Sequence, residues 1–218
     1  MSMACLTRWM TVLLLALGLP MSAVAQRGTV YLVGDSTMAP HTGYGDELCA
    51  RLQPEWACVN VARGGRSTLS YRAEGLWTAL LQRIQSKGAE RLPPHVLIQF
   101  GHNDQPGKPG RSTDLATEYP ANLKRYIDEL RAVGAMPILV TPLTRRSFKG
   151  EQLDDQLRPW AESMRRVAAD SAVPLVDLHA LSTALVQSMG QAAADELAEA
   201  APGQRRFDRT HLGDRGAC

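Results

Sequence analysis

Apolar residues fall into two kinds of run along this chain. Short, nearly continuous ones rich in β-branched residues cover Thr29 to Gly34, Ala57 to Val61, Val96 to Phe100, Met136 to Thr141 and Leu175 to Asp177. Between them the apolar positions recur every three or four residues, as in Tyr119, Leu123, Ile127, Leu130 and in Leu157, Trp160, Met164, Val167. The first kind predicts strands buried on both faces, the second amphipathic helices. Pro120 and Pro159 fall near helix starts, where a missing N–H costs nothing. Gly88, Gly134 and Gly190 follow helical segments, where a left-handed cap is wanted. Strands alternating with helices predict a parallel sheet covered on both faces, a three-layer α/β/α sandwich. With no repeat and no linker, residues 26–218 read as one domain.

The apolar run from Trp9 to Leu19 is different. Arg8 precedes it and Ala23-Val24-Ala25 follows it, the layout of a secretory signal peptide over residues 1–25, cleaved after Ala25. The run is too short to span a bilayer core of ~30 Å as a mature helix. Cys5 lies before it, so no lipid-anchoring cysteine follows. The expectation is a soluble chain, secreted or periplasmic and free of the membrane. Losing Arg8, the sole charged residue of the leader, takes the formal net charge from +2 to +1. Near neutrality argues against nucleic acid as the main partner. In an oxidising compartment Cys49 and Cys58 can close a short loop, leaving Cys218 unpaired; two buried thiols are the equal alternative.

In an open parallel sheet, reactive groups gather at the carboxyl ends of the strands. Here Gly34-Asp35-Ser36-Thr37 follows the first strand, Asn60 to Ser67 the second, and Gly101-His102-Asn103-Asp104 the third. These polar clusters are expected on one rim. Ser36, after a strand and before a helix, sits where main-chain N–H groups and the helix dipole favour negative charge. Acyl transfer needs such a hydroxyl with a base in reach and a third group orienting that base. Asp208-Arg209-Thr210-His211 offers an orienting carboxylate and a base three residues apart, and histidine titrates near working pH. Gly64-Gly65 permits positive φ and close main-chain approach, and Asn103 offers an amide donor, so both are candidates for an oxyanion hole. Alone, Ser36 is an ordinary helix cap, Gly64-Gly65 a tight turn, and Asp-x-x-His a surface turn.

The order Gly-Asp-Ser, Gly, Gly-x-Asn-Asp, Asp-x-x-His resembles the block pattern of the SGNH (GDSL) hydrolase superfamily, whose fold is a flavodoxin-like sandwich. More narrowly, Val30 to Ala39, Asn60 to Ser67, Phe100 to Asp104 and Asp208 to His211 are similar to the blocks of rhamnogalacturonan acetylesterases. The Gly-x-Ser-x-Gly elbow of ordinary α/β-hydrolases is absent at Ser36. The resemblance implies Ser36 as nucleophile, His211 as base, Asp208 as its orienting partner, and the N–H groups of Ser36 and Gly65 with the Asn103 amide as oxyanion donors. Asp35 would fix the loop.

The implied reaction is removal of acetyl groups from a plant cell-wall polysaccharide, rhamnogalacturonan, by a monomeric enzyme without cofactor. A lipase or thioesterase, and an inactive glycan-binding homologue, are the alternatives. His41, His95, His102 and His179 are not spaced as metal ligands, and no metal is expected. His102 is expected to brace the oxyanion loop or to meet substrate. Arg66 and Arg72, and less so Arg145 and Arg146, are candidates to pair with a polyuronate carboxylate, the latter two otherwise forming a solvated basic face. Trp56, Trp77 and Trp160 read as core rather than sugar platforms. In the resembled family the chain continues past the histidine as a helix that covers the sheet. Here Gly213 to Ala217 starts such a helix and stops, which is expected to bare apolar surface and loosen the loop of Asp208 and His211.

Overall fold

The computed structural model describes residues 27–88 and 90–218; the expected leader over residues 1–25 lies outside them. The strands are β1 (Gly28–Gly34), β2 (Trp56–Asn60), β3 (His95–Gln99), β4 (Met136–Val140), β5 (Phe148–Lys149), β6 (Gln152–Leu153) and β7 (Leu175–Val176). Five of them form one parallel sheet in the order β2-β1-β3-β4-β7. These are the five apolar runs of the sequence, each within a residue of its expected bounds. The antiparallel hairpin β5–β6 is additional, and its two-residue strands carry no pattern to read.

The helices are α1 (Gly45–Arg51), α2 (Ser70–Ala73), α3 (Leu76–Ser86), α4 (Glu118–Ala132), α5 (Arg158–Asp170), α6 (Leu178–Asp195) and α7 (Asp214–Ala217). β1 lies between two strands and is buried at every position. Its side chains alternate between faces, as the strand period requires. Tyr31 and Val33 join Trp77, Tyr126, Ile127 and Met164 in the larger core. Val30 and Leu32 join Met38 and Ala62 in the smaller one on the other face, against α1. The disulfide Cys49–Cys58 ties α1 to β2, with Cα atoms 5.3 Å apart, and Cys218 is free and exposed.

The second face is thinly covered. A depression of about 200 Å³ opens among Val30, Leu48, Trp56, Leu97 and Ile138. Leu181 and Leu185 of α6 stand 66% and 58% exposed. Among the described residues no helix is long and apolar enough to cross a membrane.

Of the expected helix caps, Gly134 has the left-handed φ of 74° directly after α4. Gly190, with φ 71° and ψ 169°, breaks α6 by a kink instead of ending it. Gly88 is not left-handed, because the chain leaves α3 in extended form at Lys87.

The larger core also positions the rim. Buried tyrosines need partners for their hydroxyls, and here they find the carbonyls of the loops beyond β2 and β3. Tyr71 donates to Val61 O at 2.9 Å, Tyr126 to Thr68 O at 3.0 Å and Tyr119 to Phe100 O at 2.9 Å. The loops that carry the candidate chemistry are thus tethered to the helices beneath them.

Candidate active site

β1 ends at Gly34, and the chain folds at once into a tight turn in which Met38 N and Ala39 N both return to Asp35 O (3.2 and 3.0 Å). The helix expected directly after Ser36 is not there; α1 starts only at Gly45. Ser36 is therefore presented by a turn, without a helix dipole behind it. The turn is compact because Gly43 lies against it: a Cβ on Gly43 would sit 2.1 Å from Thr37 O. Thr42 then joins the Ser36 turn to the His211 loop. Its hydroxyl donates to Ser36 O at 2.7 Å, and its carbonyl accepts Leu212 N at 3.1 Å.

The loop from Asp208 to His211 is wound about the Asp208 carboxylate. Oδ1 accepts the N–H groups of Thr210 and His211, each at 2.7 Å, and Oδ2 faces His211 Nδ1 at 2.8 Å. His211 Nε2 lies 2.8 Å from Ser36 Oγ. A carboxylate only accepts, so Nδ1 carries the ring proton and Nε2 is left to accept from the serine hydroxyl. Burial pushes the Asp208 carboxyl up, but His211 and the two main-chain N–H groups reverse this and hold it below the usual range. The His211 and Asp208 side chains are 30% and 42% exposed, so the site is open at its base side.

The oxyanion candidates lie on the loops beside the Ser36 turn, where a Cβ on Gly64 would sit 3.6 Å from Ser36 Cβ. Gly65 has φ 78°, a conformation that favours glycine. Among the described residues, neither Ser36 N–H nor Gly65 N–H finds a protein acceptor. Asn103 is oriented from both ends: Nδ2 donates to Arg66 O at 3.0 Å and Oδ1 accepts from Lys108 Nζ at 3.4 Å. That spends one amide N–H and leaves the second available. Asp104 locks the two loops together, its Oδ1 accepting from Thr68 N (3.1 Å), the Thr68 hydroxyl and the Thr113 hydroxyl (3.1 Å). Burial raises the Asp104 carboxyl to about 7 despite these donors, with the Asp35 charge adding to the rise.

Asp35 and His102 lie beneath the reacting groups. His102 is 2% exposed, with Nδ1 3.3 Å from Asp35 Oδ2. Its ring is buried against Asp35 and is not at the exposed rim where a substrate-binding candidate was expected. Burial raises the Asp35 carboxyl, but His102 and the Thr37 N–H and O–H more than offset it and leave it below the usual range.

The arginines depart furthest from expectation. Arg72 is no substrate ligand: it holds Glu129 through both terminal nitrogens (2.9 and 2.7 Å) and lies over the Tyr126 ring. Arg66 lies beside the oxyanion loop but is taken by Glu74 (2.9 and 2.6 Å) and by Gly64 O at 2.7 Å. Arg145 and Arg146 form no solvated face. Arg146, 1% exposed, donates to Asp208 O and His211 O, and Arg145 reaches Thr210 Oγ1 (3.2 Å) and Gln105 Oε1 (2.6 Å). Two further cations at the rim, Lys108 and Arg111, escaped the sequence reading because the polar, glycine-rich stretch that carries them has no period. Trp77 and Trp160 are buried as expected, and Trp56 is half-buried, edge-on to His95. Among the described residues no group of three or more His, Cys, Asp or Glu is arranged to hold a metal ion.

Comparison with known proteins agrees with this geometry. Residues 32–217 match the model of the GDSL-like lipase/acylhydrolase family. The chain is 32% identical to a probable rhamnogalacturonan acetylesterase of Bacillus subtilis over 169 residues, 74% of this chain and 75% of that one. It is 34% identical to a second protein of that organism, rhamnogalacturonan acetylesterase RhgT, over 74% of this chain and 69% of that one. The crystal structure of the Bacillus subtilis protein YXIM superposes with a TM-score of 0.72 at 25% identity, covering 88% of this chain and about half, 53%, of that one. A parallel sheet with Ser36, Asn103 and His211 brought to one rim, and a family match across the whole sheet, have one reading: this chain belongs to the GDSL-like lipase/acylhydrolase family.

Proposed function

We propose that this protein is an exported serine esterase that removes acetyl groups from rhamnogalacturonan. The observation that carries the reading is the relay Asp208–His211–Ser36, with 2.8 Å at each step, beside Ser36 and Gly65 N–H groups that find no protein acceptor among the described residues. Ser36 Oγ attacks the acetyl carbonyl while His211 Nε2 takes its proton. The carbonyl oxygen becomes an oxyanion held by the N–H groups of Ser36 and Gly65 and the free Asn103 amide N–H. On collapse the ester C–O bond breaks and His211 returns its proton to the departing sugar oxygen. Water, deprotonated by His211, then attacks the acetyl-Ser36 ester and releases acetate.

The exposure of His211 and Asp208 suits a side group on a bulky polymer. The polymer itself rests on the relatives' names, and a shared fold does not fix substrate. The Cys49–Cys58 disulfide supports an oxidising compartment. One observation favours a second reading, a long-chain acyl hydrolase: an apolar groove of about 360 Å³ runs among Tyr44, Leu143, Leu181, Leu185 and Leu212, beside the base loop. Initial rates on acetylated rhamnogalacturonan, acetylated xylan and 4-nitrophenyl esters of two to twelve carbons separate the readings. Acetate release from the pectic polymer with rates falling as the acyl chain grows is the expected result; rates rising with chain length would replace it with the lipase reading.

A further inference from the structure

Several cations around the site are already neutralised. Arg66 has Glu74, Arg72 has Glu129, Arg165 has Asp177 and Arg209 has Asp195. Lys108, Arg111 and Arg145 differ: like the buried Arg146 behind the His211 loop, none of them has a carboxylate partner among the described residues, but these three are not fully buried. Each stands beside one part of the reacting apparatus. Lys108 Nζ donates to His102 O and Asn103 Oδ1. Arg111 Nη1 lies 3.4 Å from Gly65 O. Arg145 reaches from Gln105 to Thr210 in the base loop. They are also close to one another: burial first, then the charges of Arg145 and Arg111, hold the Lys108 ammonium below its usual range. Gathering like charges in a half-buried place costs free energy, and an arriving anion relieves that cost.

Lys108 and Arg145 spend their donors on the protein. Arg111 does not: its one contact is at the limit of a hydrogen bond, and its Nε and Nη2 have no acceptor among the described residues. The planar edge of a guanidinium with two free donors is matched to a carboxylate. We propose that Arg111, backed by the charges of Lys108 and Arg145, is a specificity-determining residue that pairs with the carboxylate of a uronate in the polymer, on the acetylated sugar or its neighbour. This rests on the esterase reading above, whose polymer carries uronates, and adds to it the residue that reads their carboxylate and the need for that carboxylate to be free.

The test compares acetylated rhamnogalacturonan with the same polymer after methyl esterification of its carboxylates. For the wild-type protein, kcat/KM on the free-acid polymer is expected to exceed that on the methyl ester by about tenfold, the worth of one partly exposed charge-assisted pair. The difference is expected in KM, and it shrinks as salt rises. Arg111→Gln brings the ratio close to one and Arg111→Lys restores part of it. A wild-type ratio of one, or an Arg111→Gln ratio equal to the wild-type value, overturns the inference. Calorimetric binding of the same two polymers to Ser36→Ala, with and without Arg111→Gln, reads the carboxylate preference where turnover is absent. Failure of the esterase reading, seen as no turnover of 4-nitrophenyl acetate, is thereby distinguished from failure of this one.

Discussion

The guanidinium of Arg146 donates to the main-chain carbonyls of both Asp208 and His211, at 3.1 and 2.6 Å, while its own main-chain N–H donates to Arg209 O at 2.9 Å. The loop that carries the base is therefore clamped from behind by a buried cation. Arg146 supplies this hold through its Nη2. It does so at some cost, since its Nε and Nη1 are buried without partners and burial lowers its pKa.

Arg146→Met separates positioning from stability. Two carbonyls lose a donor, at about 1–3 kcal/mol each, but a partly unsatisfied buried charge is also removed, which offsets much of that loss. The expected outcome is a modest fall in Tm with a kcat reduced about 100-fold, the order expected for displacing a base by ~1 Å. Steady-state kinetics on 4-nitrophenyl acetate with parallel thermal denaturation check it. A variant with unchanged kcat contradicts the clamp.

Asn103 is held so that one amide N–H is spent on Arg66 O and one is free. Asn103→Ala removes one of the oxyanion donors and is expected to lower kcat by about 10²–10³-fold with little change in KM. Asn103→Asp, which keeps the shape and loses the donor, is expected to fall at least as far. An equal loss of affinity for a non-hydrolysable substrate analogue would show that Asn103 binds the ground state instead.

Two kinds of carboxyl around the site give stability opposite slopes with pH. Asp35 and Asp208 lie below their ordinary values, so their contribution is present above the unfolded carboxylate pKa and is lost as pH falls through the folded one. Asp104 is raised to about 7, so the folded state binds its proton more tightly. Its contribution is full below the ordinary carboxylate pKa and is lost as pH rises through about 7. Asp104→Asn, neutral at every pH, is therefore expected to gain stability relative to wild type between about pH 4 and about pH 8. Denaturant titrations across that range check the sign, and parallel wild-type and variant curves would refute it.

The Cys49–Cys58 bridge closes a loop with a sequence separation of nine and fixes α1 against β2. Asn60, at the end of β2, donates to Met38 O and Asp46 Oδ1, so the bridge also steadies the far side of the nucleophile turn. Removing it with Cys49→Ala and Cys58→Ala together is expected to cost about 2–3 kcal/mol on chain-entropy grounds. Equilibrium unfolding of the double variant measures it, and an unchanged midpoint would show that the folded segment gains nothing from the link.

The five-stranded sheet was legible because a doubly buried parallel strand such as β1 must be apolar throughout, a pattern that local sequence carries in full. Ser36, Asn103 and His211 were singled out because four short blocks in order resemble one family, and the structure places His211 Nε2 2.8 Å from Ser36 Oγ. What escaped was long-range partnership. Nothing around Arg72 tells that Glu129, on another helix, will claim it, and nothing around Arg146 tells that its charge will be buried under the base loop. The Gly190 kink and the missing helix after Ser36 have a similar origin, since a glycine and a turn are ambiguous until packing chooses between an end and a bend.

The central claim is that Ser36 carries the acetyl group, and its most direct test is acetate release from acetylated rhamnogalacturonan by wild type and by Ser36→Ala. Release by the wild-type protein is expected, with a fall of at least about 10³-fold in the variant and its folding unchanged. Release that persists in Ser36→Ala, or a folded wild-type protein that frees no acetate from this polymer or from 4-nitrophenyl acetate, would contradict it.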